Sequence, residues 1–153
     1  MRYGGKKNFG EFFEYLSKIG KEYNIVSDTD FDAFIKDLAP INLPKAYLEF
    51  MRHAGYGRYF VGSDYGINEV KNLNRYAGEL LEENDFPHRL SENDFVFFMH
   101  QGYMFYFFRL DEGDDPAVYY YDECTNQTEF VKCSDSFTDF IIEPYVSGIP
   151  NPV

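Results

Sequence analysis

The spacing of apolar positions changes along the chain, and each change predicts an element. Phe9, Phe12, Phe13, Leu16, Ile19 and Tyr23 recur at helical spacing, while Glu14, Lys18 and Lys21 fall off that stripe. Asn8 precedes the run and Glu11 stands three residues later, so a side-chain oxygen and a carboxylate can satisfy the orphan amides of a first turn. SDTD at 27–30 caps a second, shorter helix carrying Phe31, Phe34, Ile35 and Leu38, and Pro40 stops it. Pro44 opens a third helix as its first residue, where a missing N–H removes nothing. Tyr47, Phe50, Met51 and Ala54 form its buried stripe, and Gly55 is expected to end it in the left-handed conformation. RYFVG at 58–62 reads as a short strand. A further helix is expected over about 67–83, with Val70, Leu73, Ala77, Leu80 and Leu81 inward, followed by the acidic loop ENDFP.

The period then shifts. FVFFMHQGYMFYFFRL at 95–110 is the densest apolar run in the chain. A membrane-spanning helix needs about 20 apolar residues, and this run is shorter, with His100, Gln101 and Gly102 in its middle. Phe, Tyr and Val favour strands and Gln-Gly suits a two-residue turn, so the stretch predicts a β-hairpin, 94–100 and 103–110, with Phe98 opposite Phe105. Both strands are apolar at nearly every position. Both faces must therefore be covered, and helices are the expected cover.

DEGDDP at 111–116 is a charged turn, AVYYYDE a third meander strand, TNQT a turn and EFVKC a fourth strand. Ser136 caps a last helix with Asp139 as its partner, Phe137, Phe140 and Ile141 inward and Pro144 at its end, before an irregular tail SGIPNPV. Helices, then strands, then a helix predict a single α+β domain over 1–153, an antiparallel meander of about four to six strands flanked by helices.

Charge adds a constraint. With 14 Lys and Arg against 26 Asp and Glu, the net charge is −12. Such a surface repels nucleic-acid phosphates and anionic lipid and attracts a basic partner. Two cysteines, Cys124 and Cys133, are too few for a disulfide scaffold, although they flank a turn that a bridge could close. MRYGGKKNFG at the N-terminus is followed by no apolar signal core, so a cytoplasmic location is expected.

Candidate chemistry is sparse. The glycines of GYGRYFVG follow a helix, whereas a dinucleotide loop follows a strand and opens a helix. Asp28, Asp30 and Asp32 begin like a calcium loop, but Ala33 and Ala39 stand where it needs Gly and Glu, which favours a helix cap. His53, His88 and His100 have no second ligand at metal spacing, and no Ser sits in a nucleophile elbow. No catalytic residue, cofactor site or metal site is assigned, and the chain is not expected to be an enzyme. Of Tyr119, Tyr120 and Tyr121, alternating along a strand, at least one should face outward, where Tyr favours interfaces.

LPKAYLEFMRHAGYG, with Leu43, Pro44, Tyr47, Phe50, Gly55 and Gly57, resembles the Leu-Pro, Tyr, Phe and small-residue-turn segment of the SUKH superfamily. That group includes the Smi/Knr-type cell-wall synthesis regulators of fungi and many bacterial immunity proteins. NDFVFFMHQGYMFYFFRL is similar to the family's central hairpin, PAVYYYD to its next strand and SDSFTDFI to its closing helix. The likeness spans roughly residues 31–142. The long aromatic first helix and the helix-bearing insert between Gly62 and Asp94 depart from the pattern.

The resemblance implies an α+β binding protein that neutralises a cognate toxin domain, often a nuclease, by occlusion. A nuclease presents a basic groove, and an acidic protein complements it. Glu82, Glu83 and Asp85, with Asp111, Glu112, Asp114 and Asp115, are the expected partner-binding residues. The alternatives are a regulatory interaction scaffold without a toxin and, third, a small-molecule enzyme with perturbed ionisable groups in a deep pocket.

Overall fold

A computed structural model describes residues 2–149. Three helices come first: α1 (Phe9–Lys18), α2 (Asp28–Leu38) and α3 (Lys45–Ala54). Then follow a two-residue strand β1 (Ser63–Asp64), a 3-10 turn (Val70–Asn72) and α4 (Leu73–Glu83). Strands β2 (Asp94–His100), β3 (Met104–Arg109), β4 (Val118–Asp122) and β5 (Val131–Ser134) lead to α5 (Phe137–Ser147). The strands form one antiparallel sheet in sequence order, β1 to β5. The architecture is therefore the expected α+β meander.

The capping signals hold. Asn8, Ser27 and Ser136 each accept a hydrogen bond from the amide three residues on, at 2.9, 3.1 and 3.0 Å. Glu11 reaches back to the amide of Lys6 rather than that of Asn8. Phe9, Phe12, Phe13 and Leu16 are buried, while Ile19 is exposed and Tyr23 lies beyond the helix. On α2, Phe34 and Leu38 are buried and Ile35 is exposed. Every predicted inward residue of α3 and α4 is buried.

The hairpin is covered on both sides. Phe95, Phe97, Phe98, Tyr106 and Phe108 pack toward the helical layer: Phe97 meets Phe137 at 5.2 Å, Tyr106 meets Phe140 at 4.7 Å, and Phe108 meets Tyr47 at 5.1 Å. On the other face Phe105, Phe107 and Tyr121 pack with Phe86 and Phe130, and α4 lies along β2. Beyond the short β1, the outer edge of β2 has no strand partner among the described residues. The Asn74 amide replaces one, donating to the Asp94 carbonyl at 2.7 Å and accepting from the Val96 amide at 2.8 Å.

Several local expectations are corrected. A bulge between Val96 and Phe98 sets both Phe97 and Phe98 against the helical layer and shifts the register, so Phe98 opposes Tyr106 and Met99 opposes Phe105. The turn spans 101–103, with φ of +47° at Gln101 and +78° at Gly102. Residues 58–62 form a loop, because Gly57, Arg58 and Gly62 take positive φ, and the strand begins only at Ser63. The 67–83 segment opens with the 3-10 turn before α4. Pro44 stands one residue outside α3 as its N-cap, with no side-chain cap bond. Pro144 lies inside α5, which runs to Ser147 and ends at Gly148 with φ +75°. Of the predicted irregular tail, residues 150–153 lie outside the described residues.

Gly55 is not left-handed: its φ is −67° and the positive φ falls at Gly57. Gly55 is needed for space instead. A Cβ there would meet the Met51 carbonyl, Ile67 Cγ2 at 2.8 Å and Val26 Cγ2 at 3.1 Å. The nearby Tyr65 hydroxyl donates to the Ala54 carbonyl at 2.7 Å and accepts from the Tyr59 amide at 2.9 Å, tying the 58–62 loop to the end of α3.

Two stability outcomes follow. Gly55→Ala should destabilise the fold by about 1–3 kcal/mol in urea unfolding, through overpacking. Tyr47 is fully buried and its hydroxyl has no hydrogen-bond partner among the described residues. Tyr47→Phe should therefore leave stability unchanged or raise it by about 1 kcal/mol, and a loss of that size would refute this account of the hydroxyl.

Candidate partner-binding surfaces

The acidic residues singled out in the sequence are exposed, but the fold brings them together as two groups, not one. β3 separates them. Its Met104 end pairs with His100 and Asp122, and its other end pairs with Asp94 and Val118. The strand is 6 residues long, which sets the groups about 20 Å apart along the sheet.

Glu82, Glu83 and Asp85 lie at the hairpin-turn end. α4 starts at the Asp94 end of β2, where Asn74 is bonded, and finishes beside the β4 terminus, where Asn84 Nδ2 donates to Glu123 Oε2 at 2.9 Å. Glu123 in turn donates its amide to the Tyr103 carbonyl at 3.1 Å. The fold thus adds Glu123 and neighbouring Asp122 to this group. No local sequence pattern links 82–85 with 122–123; the meander alone joins them.

The electrostatics here are unfavourable to the isolated chain. Glu82 and Glu83 occupy the last turn of α4, where the exposed carbonyls already carry partial negative charge, and that turn holds no basic residue. Among the described residues none of Glu82, Glu83, Asp85 or Glu123 forms an ion pair. Arg89 borders the same groove as Glu82, but its guanidinium donates to the carbonyls of Phe86 and His88.

The second group, Asp111, Glu112, Asp114 and Asp115, forms the β3–β4 turn, and much of it has an internal task. Asp115 Oδ1 accepts from the Thr138 amide in the first turn of α5 at 2.9 Å. The Asp114 carbonyl accepts from the Ala46 amide in the first turn of α3 at 2.9 Å. Glu112 accepts from the Tyr119 hydroxyl at 3.0 Å and lies 3.9 Å from Arg109. Arg109 stacks 4.1 Å above the Tyr119 ring and lies 3.6 Å from the buried Asp94. Of the tyrosine run, Tyr121 is buried, whereas Tyr119 and Tyr120 remain half-buried.

The remaining candidates resolve into structural roles. Asp28 pairs with Arg52, and Asp30 accepts from the Tyr56 hydroxyl at 2.6 Å, so the DTDFD segment serves the start of α2. His53 stacks on Phe13 at 4.7 Å, and burial lowers its pKa. His88 packs on Phe86, and His100 Nδ1 lies 2.6 Å from Ser63 Oγ. Cys124 and Cys133 are both free. Burial pushes the Cys133 thiol up to about 12, which leaves it protonated and unreactive at neutral pH. No group of three or more His, Cys, Asp or Glu among the described residues could hold a metal ion. No described helix is long and apolar enough to cross a membrane.

No curated protein and no solved structure matches the chain. A family model does: that of the SMI1 / KNR4 family (SUKH-1) matches residues 25–143, from the approach to α2 through most of α5. The match takes in the Leu43–Pro44 segment and α3, the acidic end of α4, the whole meander and the first part of the closing helix, and it leaves out the aromatic α1. The chain belongs to the SMI1 / KNR4 (SUKH-1) family.

Proposed function

We propose that this chain is an immunity-type protein that binds the basic face of a cognate toxin domain and neutralises it by occlusion, and that the hairpin-turn end of the sheet is the binding surface. The observation that carries this reading is the uncompensated charge at the C-terminal end of α4. Glu82 and Glu83 sit where a helix favours cations, and Asp85 and Glu123 stand beside them without an ion pair among the described residues. Each misplaced carboxylate costs the free protein about 0.3–1 kcal/mol. A cationic partner surface removes that cost on docking and is steered in by the same field. Tyr103, half-buried at the turn and packed on His100 at 5.5 Å, offers an aromatic contact in the same neighbourhood. The Asp111, Glu112, Asp114 and Asp115 turn lies at the far end and serves the caps of α3 and α5, so it contributes to the field more than to contact.

The two roles separate in experiment. Glu82→Gln with Glu83→Gln should raise the stability of the free protein by about 0.5–1 kcal/mol in urea unfolding. The same pair should slow association with the cognate toxin domain and flatten its salt dependence. Substitutions that leave both stability and association unchanged would sink this choice of surface.

The functional claim itself is tested by co-expression. The toxin domain should arrest a sensitive host, and this protein should restore growth and co-purify with it. Soluble expression of both without rescue would favour a regulatory scaffold, and its partner would then be sought in the native cell.

A further inference from the structure

An aromatic-lined cleft lies away from both acidic groups. It has a volume of about 530 Å³ and opens between the 58–63 loop and the second half of α5. That volume falls within the range of small-molecule sites, roughly 300–1,000 Å³. Phe98, Phe140 and Ile141 make its floor, and Tyr59, Phe60, Pro144 and Tyr145 its walls. Val61 stands at the mouth with 86% of its surface exposed, and Ile149, just past the end of α5, is 71% exposed. The loop is held rather than loose. Tyr65 anchors it at the Tyr59 amide, and Phe60 packs edge-on against Phe98 at 4.9 Å and Tyr65 at 5.2 Å.

The charge at this cleft runs against that of the whole chain. In a protein of net charge −12, the ionic residue lining the cleft is a cation, Lys21, and a second cation, Arg2, lies against the lining residue Gly148. Lys21 Nζ lies 3.3 Å from the Tyr145 hydroxyl and 5.2 Å from the centre of its ring, and it pairs with no carboxylate among the described residues. The Arg2 guanidinium lies against Gly148, within 3.4 Å of where a Cβ would stand, and it too lacks a carboxylate partner among those residues. Had the cleft been mere leftover space, the prevailing acid would be expected around it. Two unpaired cations beside an aromatic slot instead match a ligand with an apolar body and an anionic head.

We infer that this cleft binds an alkyl monocarboxylate of medium chain length, its tail among Phe60, Phe98, Phe140 and Ile141 and its carboxylate on Lys21 beside the Tyr145 hydroxyl. A peptide is the poorer occupant. The adjoining edge strand, β1, has only two residues, too few to add a peptide as a further strand, and the cleft is walled by side chains. This site does not depend on the acidic face or on a toxin partner.

The experiment uses the full chain and decanoate, with decyltrimethylammonium as the charge-reversed probe, followed by calorimetry and amide NMR. Decanoate should bind saturably at one site, with shifts centred on 58–63, 140–148 and Lys21, and the ammonium probe should bind far more weakly. Lys21→Gln should weaken decanoate about tenfold, the loss of one charge-assisted hydrogen bond. Val61→Asp, a change at an exposed position that leaves the core intact, should weaken it comparably by placing an anion at the mouth. Non-saturable binding of decanoate overturns the proposal. So does equal binding of the ammonium probe, or a Lys21→Gln variant that binds decanoate as the parent does.

Discussion

A hairpin with no wetted face governs this molecule. β2 and β3 carry phenylalanine, tyrosine, valine and methionine on both sides, and from Phe95 to Phe108 every strand residue except His100 is buried. Burial of a large aromatic side chain contributes roughly 1.5–3 kcal/mol, so exposing either face would forfeit more than a domain's net stability. Two separate covers are therefore needed. α1, α3 and α5 close one side through Phe9, Tyr47, Phe50, Phe137 and Phe140, and α4 with Phe86 and Phe130 closes the other. With both faces of the hairpin closed, what remains for recognition is its ends, its edges and the seams between covering elements. The acidic end of α4 is one such end, and the cleft beside the 58–63 loop is one such seam.

The parts of this arrangement that were legible in the sequence are those set by neighbours in the chain. Asn8, Ser27 and Ser136 act within three residues of themselves, so their caps could be read directly. The stripes on α3 and α4 repeat within a turn and bury as read, as does that of α1 from Phe9 to Leu16. What could not be read depends on contacts distant in sequence. Gly55 looked like a left-handed stop but is a spacer against Ile67 and Val26. Pro144 looked like a terminator, yet α5 continues past it to Gly148, with Phe140, Ile141 and Ile142 held in the core and Tyr145 packed against Phe12 at 5.2 Å. The Phe98–Phe105 pairing failed by one residue because a bulge keeps Phe97 and Phe98 on one face, a choice made by the helices packed there.

The same distinction sorts the acidic residues. Sequence density put 82–85 and 111–115 on an equal footing. Their relation to helix ends separates them. The Asp115 carboxylate serves the N-terminal turn of α5, where backbone amides are unpaired and negative charge is favoured, and the Asp114 backbone carbonyl bonds the first turn of α3. Those two contacts make the charged turn a clasp between helices far apart in sequence. Glu82 and Glu83 stand at the opposite kind of terminus, and their carboxylates form no ion pair among the described residues. Acid that caps a helix is accounted for by folding; acid at the wrong end of a helix is not, and it is where a functional explanation is needed.

Rigidity links the two surfaces to the core. The ends of the sheet are pinned by specific contacts: Asn84 to Glu123 and Glu123 to Tyr103 at the turn end, Arg109 between Asp94 and Glu112 at the other. The loop lining the cleft is pinned by Tyr65. Groups already fixed lose little further freedom when a partner arrives, so more of the contact energy appears as affinity. Exposed charge alone would give fast encounter but weak holding, because surface ion pairs are screened and contribute little. A preorganised acidic end with an aromatic ring at the hairpin turn avoids that limit, and under the proposed function the two-sided core and the binding surface become one argument and not two.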